Sequence, residues 1–158
     1  MTNNDILRRI RFIKDFNDQE VIEIFSLGML EVNRETISKW LKKDDHPDYV
    51  FINDKDFSSF LAGLIIKLRG RKNDEKIIIE EKLTNNIILR KLTIAFSIKS
   101  EEVIDILKLS NFRLGKSELS AFFRKPTHKN YRDCKSQILR NFLKGLQIRD
   151  CEEISIKD

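Results

Sequence analysis

Residues Thr84–Lys91, reading Thr-Asn-Asn-Ile-Ile-Leu-Arg-Lys, restate Thr2–Arg9, Thr-Asn-Asn-Asp-Ile-Leu-Arg-Arg, and this constrains the fold more than any other feature. With the sequence slid against itself by 82 residues, positions 2–68 match 84–150 without a gap. Glu20-Val21-Ile22 meets Glu102-Val103-Ile104, His46 meets His128, Tyr49 meets Tyr131, and Phe60-Leu61 with Gly63-Leu64 meets Phe142-Leu143 with Gly145-Leu146. Self-similarity at a fixed offset marks a duplication, so whatever fold the first copy adopts the second must adopt again. The organisation is therefore a first repeat over 1–69, a connector over 70–83, a second repeat over 84–150 and a tail over 151–158. Either half alone would bury a marginal core. The expectation is thus a pseudo-two-fold single body in which each copy covers apolar surface the other leaves open.

The repeated unit reads as all-α. Pro occurs twice and Gly five times in 158 residues, while Leu, Ile, Lys, Glu and Arg, all cheap in a helix, dominate. Asn3 or Asn4 can cap a first helix with Ile6, Ile10 and Ile13 on one face. Asn17 with Glu20 starts a second helix, for which Gly28 is a plausible stop. Asn33 opens a third helix through Ile37, Trp40 and Leu41. After a loop with Pro47, a fourth carries Phe57, Phe60, Leu61, Leu64 and Leu68. The second copy gives Ile88 to Phe96, Ser100 to Leu109, about Lys116 to Lys125 and Tyr131 to Arg149, so about eight helices in all. Gly63 and Gly145, equivalent and inside the fourth helices, should each cost about 1 kcal/mol relative to Ala. A close helix crossing, ahead of a ligand contact, explains their retention. In the connector, Ile77-Ile78-Ile79 can either anchor to the core or pair as a short strand.

Composition limits the classes of function. At 41% hydrophobic and 35% charged residues the chain is globular, and no apolar run approaches the roughly 20 residues of a spanning helix. Asp5, Arg8 and Arg9 leave no room for a secretory apolar segment, so a cytoplasmic location is expected. Cys134 and Cys151 fall at unmatched positions, which fits reduced thiols rather than a disulfide framework. The formal charge of +5 permits, without demanding, contact with nucleic acid.

Both Asn-Asn-x-Ile-Leu-Arg starts, both Phe-Leu-x-Gly-Leu helices and the run His128-Lys129-Asn130-Tyr131-Arg132-Asp133-Cys134 before Leu139–Leu146 resemble the YehS-like family of bacterial proteins. The resemblance spans nearly the whole chain. That family is a domain of unknown function, so the resemblance implies the tandem architecture and brings no activity, cofactor or catalytic residue.

Three local signals bear on function. Val32–Leu41 is similar to the second helix of helix-turn-helix DNA binders, with Arg34, Glu35, Ser38 and Lys39 able to face a groove and Lys116 opening the duplicate. An ordinary packing helix gives the same pattern. Arg8, Arg9, Arg11, Arg90 and Lys91, with Lys42-Lys43 beside Trp40 and Arg124-Lys125 beside Phe122-Phe123, could form a basic surface with aromatic neighbours. Alternatively Arg8 and Arg90 pair with the equally retained Glu20 and Glu102. The doubled His-x-x-Tyr, His46 to Tyr49 and His128 to Tyr131 with Asn130 and Arg132, could act in acid-base chemistry or close its loop by hydrogen bonds. No phosphate loop, nucleophile elbow, carboxylate pair or metal-ligand spacing occurs. The sequence thus favours a non-enzymatic module, without metal or cofactor, that binds a macromolecule through a surface spanning both copies. Protein stands ahead of nucleic acid as the partner, and a membrane is not expected.

Overall fold

A computed structural model describes residues 1–71 and 76–152. It divides into two compact units, Met1–Leu83 and Thr84–Asp158. The first holds α1 (Asn3–Lys14), α2 (Asp18–Leu27), α3 (Arg34–Trp40) and α4 (Asp54–Arg69). The second holds α5 (Asn85–Ala95), α6 (Ser100–Leu109), α7 (Lys116–Phe122) and α8 (Ser136–Gln147), and α8 runs into one turn of π-helix, Ile148–Glu152. Among the described residues there is no strand. Four helices occur twice, in the same order, as the duplication requires. The end of the tail, 153–158, lies outside the described residues, as do connector residues 72–75.

Local chemistry sets the helix ends. Thr2, not Asn3 or Asn4, is the N-cap of α1: its hydroxyl accepts from Asp5 N at 3.0 Å and the Asp5 carboxylate accepts from Thr2 N at 3.0 Å. Burial raises the Asp5 pKa, but the Thr2 hydrogen bonds and the Arg8 guanidinium outweigh it and hold the carboxyl below its ordinary range. Thr84 caps α5 through its hydroxyl alone, accepting from Ile87 N at 3.2 Å, since Ile87 stands where Asp5 does. Asn17 and Glu20 form the expected capping box of α2, and Asn33 caps α3. Four helices end in a left-handed residue other than Gly: Asp15 and Met29, and at the equivalent positions Ser97 and Asn111. Each opens a reversal in which the next N–H reaches back into the last turn, as Leu30 N does to Phe25 O at 2.9 Å and Phe112 N to Leu107 O at 2.9 Å.

Gly28 therefore does not end α2 through its backbone freedom; its φ is −88°. It is there because α2 and α4 touch. A Cβ on Gly28 would lie 1.7 Å from Ser59 O, and one on Gly63 would lie 1.7 Å from Ile24 O. In the second unit a Cβ on Gly145 would lie 2.0 Å from Ile106 O. The retained glycines are the contact points of two equivalent helix crossings, α2 on α4 and α6 on α8. Where the first copy has Gly28, the second has Ser110, whose hydroxyl lies 2.9 Å from Asn141 O and spans the crossing with a hydrogen bond.

Around these crossings the cores are closed. Ile10, Val21, Ile24, Phe25, Ile37, Ile52, Phe57, Phe60 and Leu64 have no exposed surface, each such side chain contributing about 1.5–3 kcal/mol of burial. Phe25 has its ring centroid 5.2 Å from both Trp40 and Phe60. In the second copy Leu107 and Leu139 replace Phe25 and Phe57, and both are fully buried.

The repeated asparagines have a different task from the capping expected of them. Asn4, fully buried, donates through Nδ2 to Trp40 O (2.9 Å) and Val50 O (2.8 Å) and accepts at Oδ1 from Ile52 N (3.0 Å). Asn86 makes the same three bonds, to Phe122 O (3.0 Å), to Arg132 O (2.8 Å) and from Cys134 N (2.9 Å). Every partner is offset by 82. Asn3 and Asn85 add donations to Ile52 O and Cys134 O, each at 3.0 Å. The first helix of each unit thus clamps the long loop between its third and fourth helices. The clamp also explains why α8 starts at Ser136 rather than at Tyr131: Asn86 holds Arg132 O and Cys134 N in the loop just before it.

The connector is anchored by polar groups. Ser58 Oγ donates to Glu80 Oε2 (2.8 Å) and accepts from Glu80 N (2.9 Å), and Leu83 N donates to Asp54 Oδ2 (3.0 Å). Ile77 and Ile79 are half-buried and Ile78 is exposed, with no strand among residues 76–83.

Candidate functional site

The His-x-x-Tyr loops are two copies of one turn. His46 N donates to Lys43 O (2.9 Å), Tyr49 N to His46 O (3.0 Å), and Asp48 N to His46 Nδ1 (3.0 Å). His128 repeats the set with Lys125 O, Tyr131 N and Asn130 N at 2.9, 3.0 and 3.0 Å. Each imidazole thus serves through Nδ1 as an acceptor for its own backbone. Both rings are exposed. Burial, then the Asp133 carboxylate, raises the Tyr131 pKa, making that phenol a weaker acid than usual. Arg132 donates to Tyr131 O at 3.0 Å. The sequence reading that gave these residues a loop-closing role is the one the geometry matches.

Several of the cations singled out for phosphate contact have partners within their own unit. Arg8 pairs with Asp5, not Glu20, and donates to Lys42 O at 2.7 Å, so it adds to the loop clamp. Arg90 does likewise toward Phe123 O at 3.4 Å; Glu102 instead accepts from Lys99 N and lies 3.9 Å from Arg149. On α3, Arg34 is 3.8 Å from Asp18 and Lys39 is 3.4 Å from Glu35, while Ser38 is exposed. Trp40, 6% exposed against Phe25, is closed to base stacking. Residues 28–33 and 110–115 separate the second and third helices, longer than the 3–4-residue turn of a helix-turn-helix.

Lys116 has a different setting. It lines both of two adjoining concavities between α6 and α7. One, of about 920 Å³, is bounded by Ile104, Lys108, Phe112, Arg113, Lys116 and Glu118. The other, of about 370 Å³, is bounded by Glu101, Ile104, Lys116, Leu119, Phe123 and Arg124. Ile104, Phe112 and Phe123 are half-buried, so they supply an apolar floor that water still reaches. Lys108, Arg113 and Lys116 are exposed and Arg124 half-exposed, forming a basic rim.

Sequence reasoning singled out Lys116 and the Arg124 neighbourhood and missed the rest of this groove. It weighed positions the duplication retains, whereas these residues stand out by departing from it. Lys108 replaces Ser26, and Arg113 replaces Glu31. The departure extends through the unit. Residues 1–83 hold 15 Lys and Arg against 16 Asp and Glu, and residues 84–158 hold 15 against 9. The formal charges are −1 and +6, so the positive excess belongs wholly to the second unit.

Among the described residues, no group of three or more His, Cys, Asp or Glu is placed to hold a metal ion, and no helix is long and apolar enough to cross a membrane. In comparisons with known proteins, the model of the family described as "Protein of unknown function (DUF1456)" matches twice, over residues 3–70 and 85–150. Both matches begin at the loop-clamping asparagines. The "Uncharacterized protein YehS" of Escherichia coli (strain K12) is 41% identical over 150 residues, covering 94% of this chain and 96% of that protein. No solved structure matches.

Proposed function

Because this chain belongs to the DUF1456 family of proteins of unknown function, its kinship supplies no activity, and we propose from its geometry that it is a binding module, not an enzyme, whose partner is a protein. The observation that carries this reading is the groove between α6 and α7, where an apolar floor of Ile104, Phe112 and Phe123 lies under a charged rim. Half-buried aromatic and aliphatic side chains in a concavity are what a partner's side chains fill on docking. The two histidines, the chain's only imidazoles, are occupied in their own turns, which counts against acid-base catalysis. Nucleic acid is the weaker reading, since Arg8, Arg34 and Lys39 face carboxylates and Glu35 sits in the first turn of α3.

Photo-crosslinking from position 112 in cells tests this. A discrete protein adduct that survives nuclease treatment and is lost in R113E/K116E is the expected result. A nuclease-sensitive adduct, or saturable binding of mixed-sequence DNA or structured RNA with a steep salt slope that R34E/K39E abolishes, would refute it.

A further inference from the structure

We propose that the α6–α7 groove of the second unit takes an acidic amphipathic helix from its partner, and that the equivalent face of the first unit does not. This rests on the protein-binding reading above and adds the chemistry of the occupant.

The floor calls for an apolar stripe. Ile104 is shared by both concavities, Phe112 and Phe123 lie one on each side, and Leu114 and Leu119 are buried beside them. A helix presenting apolar residues at i, i+3, i+4 and i+7 would cover this floor. The rim fixes the sign of the flanks. Lys108, Arg113, Lys116 and Arg124 outnumber Glu101 and Glu118; Lys108 lies 3.9 Å from Asp105 and Arg124 donates to Asn130 O at 3.2 Å, so Arg113 and Lys116 are the cations on which carboxylates beside the apolar stripe chiefly depend. The two glutamates would repel a continuous phosphate backbone but leave room for a helix carrying an occasional Lys. The +6 of the unit adds long-range attraction for an acidic partner.

The first copy is an internal control built on the same helices. At the positions of Lys108 and Arg113 it has Ser26 and Glu31, and Ser26 Oγ donates to Glu31 Oε1 at 2.8 Å, joining the two sides. At the position of Lys116 it has Arg34, already beside Asp18. Met29, 73% exposed, takes the place of Asn111. Lys42 stands at the position of Arg124, and Gln19 and Thr36 at those of Glu101 and Glu118, so what is particular to the second copy is the cation pair Lys108 and Arg113.

The test is fluorescence anisotropy of the full chain with labelled peptides of about 16 residues, patterned with Leu at i, i+3, i+4 and i+7 and filled with Glu, Gln or Lys. A scrambled Glu peptide and single-stranded DNA serve as controls. The Glu peptide should bind saturably, and the Gln peptide, lacking two or more rim ion pairs, about tenfold more weakly. R113E/K116E, exposed substitutions whose folding is checked by circular dichroism, should weaken the Glu peptide about tenfold or more. R34E/K39E, which changes the net charge equally in the first unit, should leave it unchanged. Equal loss in both double variants would reduce the effect to net charge and overturn the proposal. So would scrambled peptide binding as well, preference for the Lys peptide, tighter binding of the DNA, or no binding of any probe. In that last case the crosslink from position 112 separates the two ideas: if the adduct persists, only the acidic-helix occupant fails, and if it is absent the protein-binding reading fails too.

Discussion

The asparagine clamp is the interaction whose removal should cost this fold most for the fewest atoms. Asn4→Ala leaves Trp40 O and Ile52 N without their partner in a buried site and returns Val50 O to solvent. Stranding a buried backbone group costs about 1–3 kcal/mol, so two such groups set the loss at roughly 2–6 kcal/mol. That is a large share of the 5–15 kcal/mol typical of a whole domain. Asn4→Asp sharpens the test. A carboxylate keeps the acceptor for Ile52 N but turns an anionic oxygen toward two carbonyl oxygens that now sit 2.8 and 2.9 Å from the Nδ2 donor. It should therefore destabilise more than Ala at neutral pH, and the gap should narrow in acid as the side chain regains a proton. Urea unfolding followed by Trp40 emission reads the first unit directly, because this is the chain's sole tryptophan and its carbonyl is one of the clamped groups. An Asn4→Ala loss below about 1 kcal/mol, or an Asp variant no worse than Ala at pH 7, would refute the assignment of three bonds, two of them buried, to one amide.

The crossings, the reversals and the buried thiol give three further tests. Gly63→Ala and Gly145→Ala each drive a methyl into a carbonyl, at 1.7 and 2.0 Å, and since relief needs the helices to part, each should cost upward of about 3 kcal/mol in denaturant titrations. Met29 holds φ at +70°, so Met29→Gly should stabilise by about 0.5–1 kcal/mol, read as a raised Tm. Burial pushes the Cys134 thiol from 9.0 up to about 11. The folded pKa lies above the unfolded one, so this stabilisation is complete below pH 9 and fades as pH rises toward 11. At pH 8 a thiol reagent should label Cys134 only at the rate of opening, and a labelling rate indifferent to urea would contradict its burial.

How much of this was written in the sequence depends on which backbone groups the repeated residues touch. Helix positions followed from apolar spacing, and Gly63 and Gly145 announced their crossings, because a helix interior that keeps Gly twice must be avoiding a Cβ. Asn3, Asn4, Asn85 and Asn86 were visible as repeated, but Asn3 and Asn4 were read as candidate caps. Capping is a local motif legible from neighbours, whereas their partners lie 36 to 51 residues away along the chain. Gly28 does stop α2, standing at its C-cap, but the reason the position is Gly was not legible: the group that forbids a side chain there, Ser59 O, belongs to another helix. The starts of the third helices were legible, and their resemblance to recognition helices is one that a packing helix shares. A segment of seven residues, Arg34–Trp40, with Ile37 and Trp40 turned inward, is what packing alone produces.

The groove was legible in a different sense. Duplication frees one copy to change wherever the backbone does not depend on the side chain, and the Asn clamps, Gly crossings and His turns show where it does depend. Those positions are held across both copies, down to hydrogen-bond partners offset by 82. Charge is not held: the loop after α3 carries Asp44, Asp45 and Asp48, and its equivalent carries Pro126, Thr127 and Asn130 with Lys129 and Arg132 added. A pair of units alike in backbone and opposite in charge is poorly suited to a symmetric reader of repeated half-sites, which would need the same side chains twice. It suits a module in which one unit engages an acidic partner while the other is free of that demand. The signature of the proposed acidic partner is therefore to be sought in what the second copy gained at Lys108 and Arg113, rather than in the cation that Lys116 and Arg34 share.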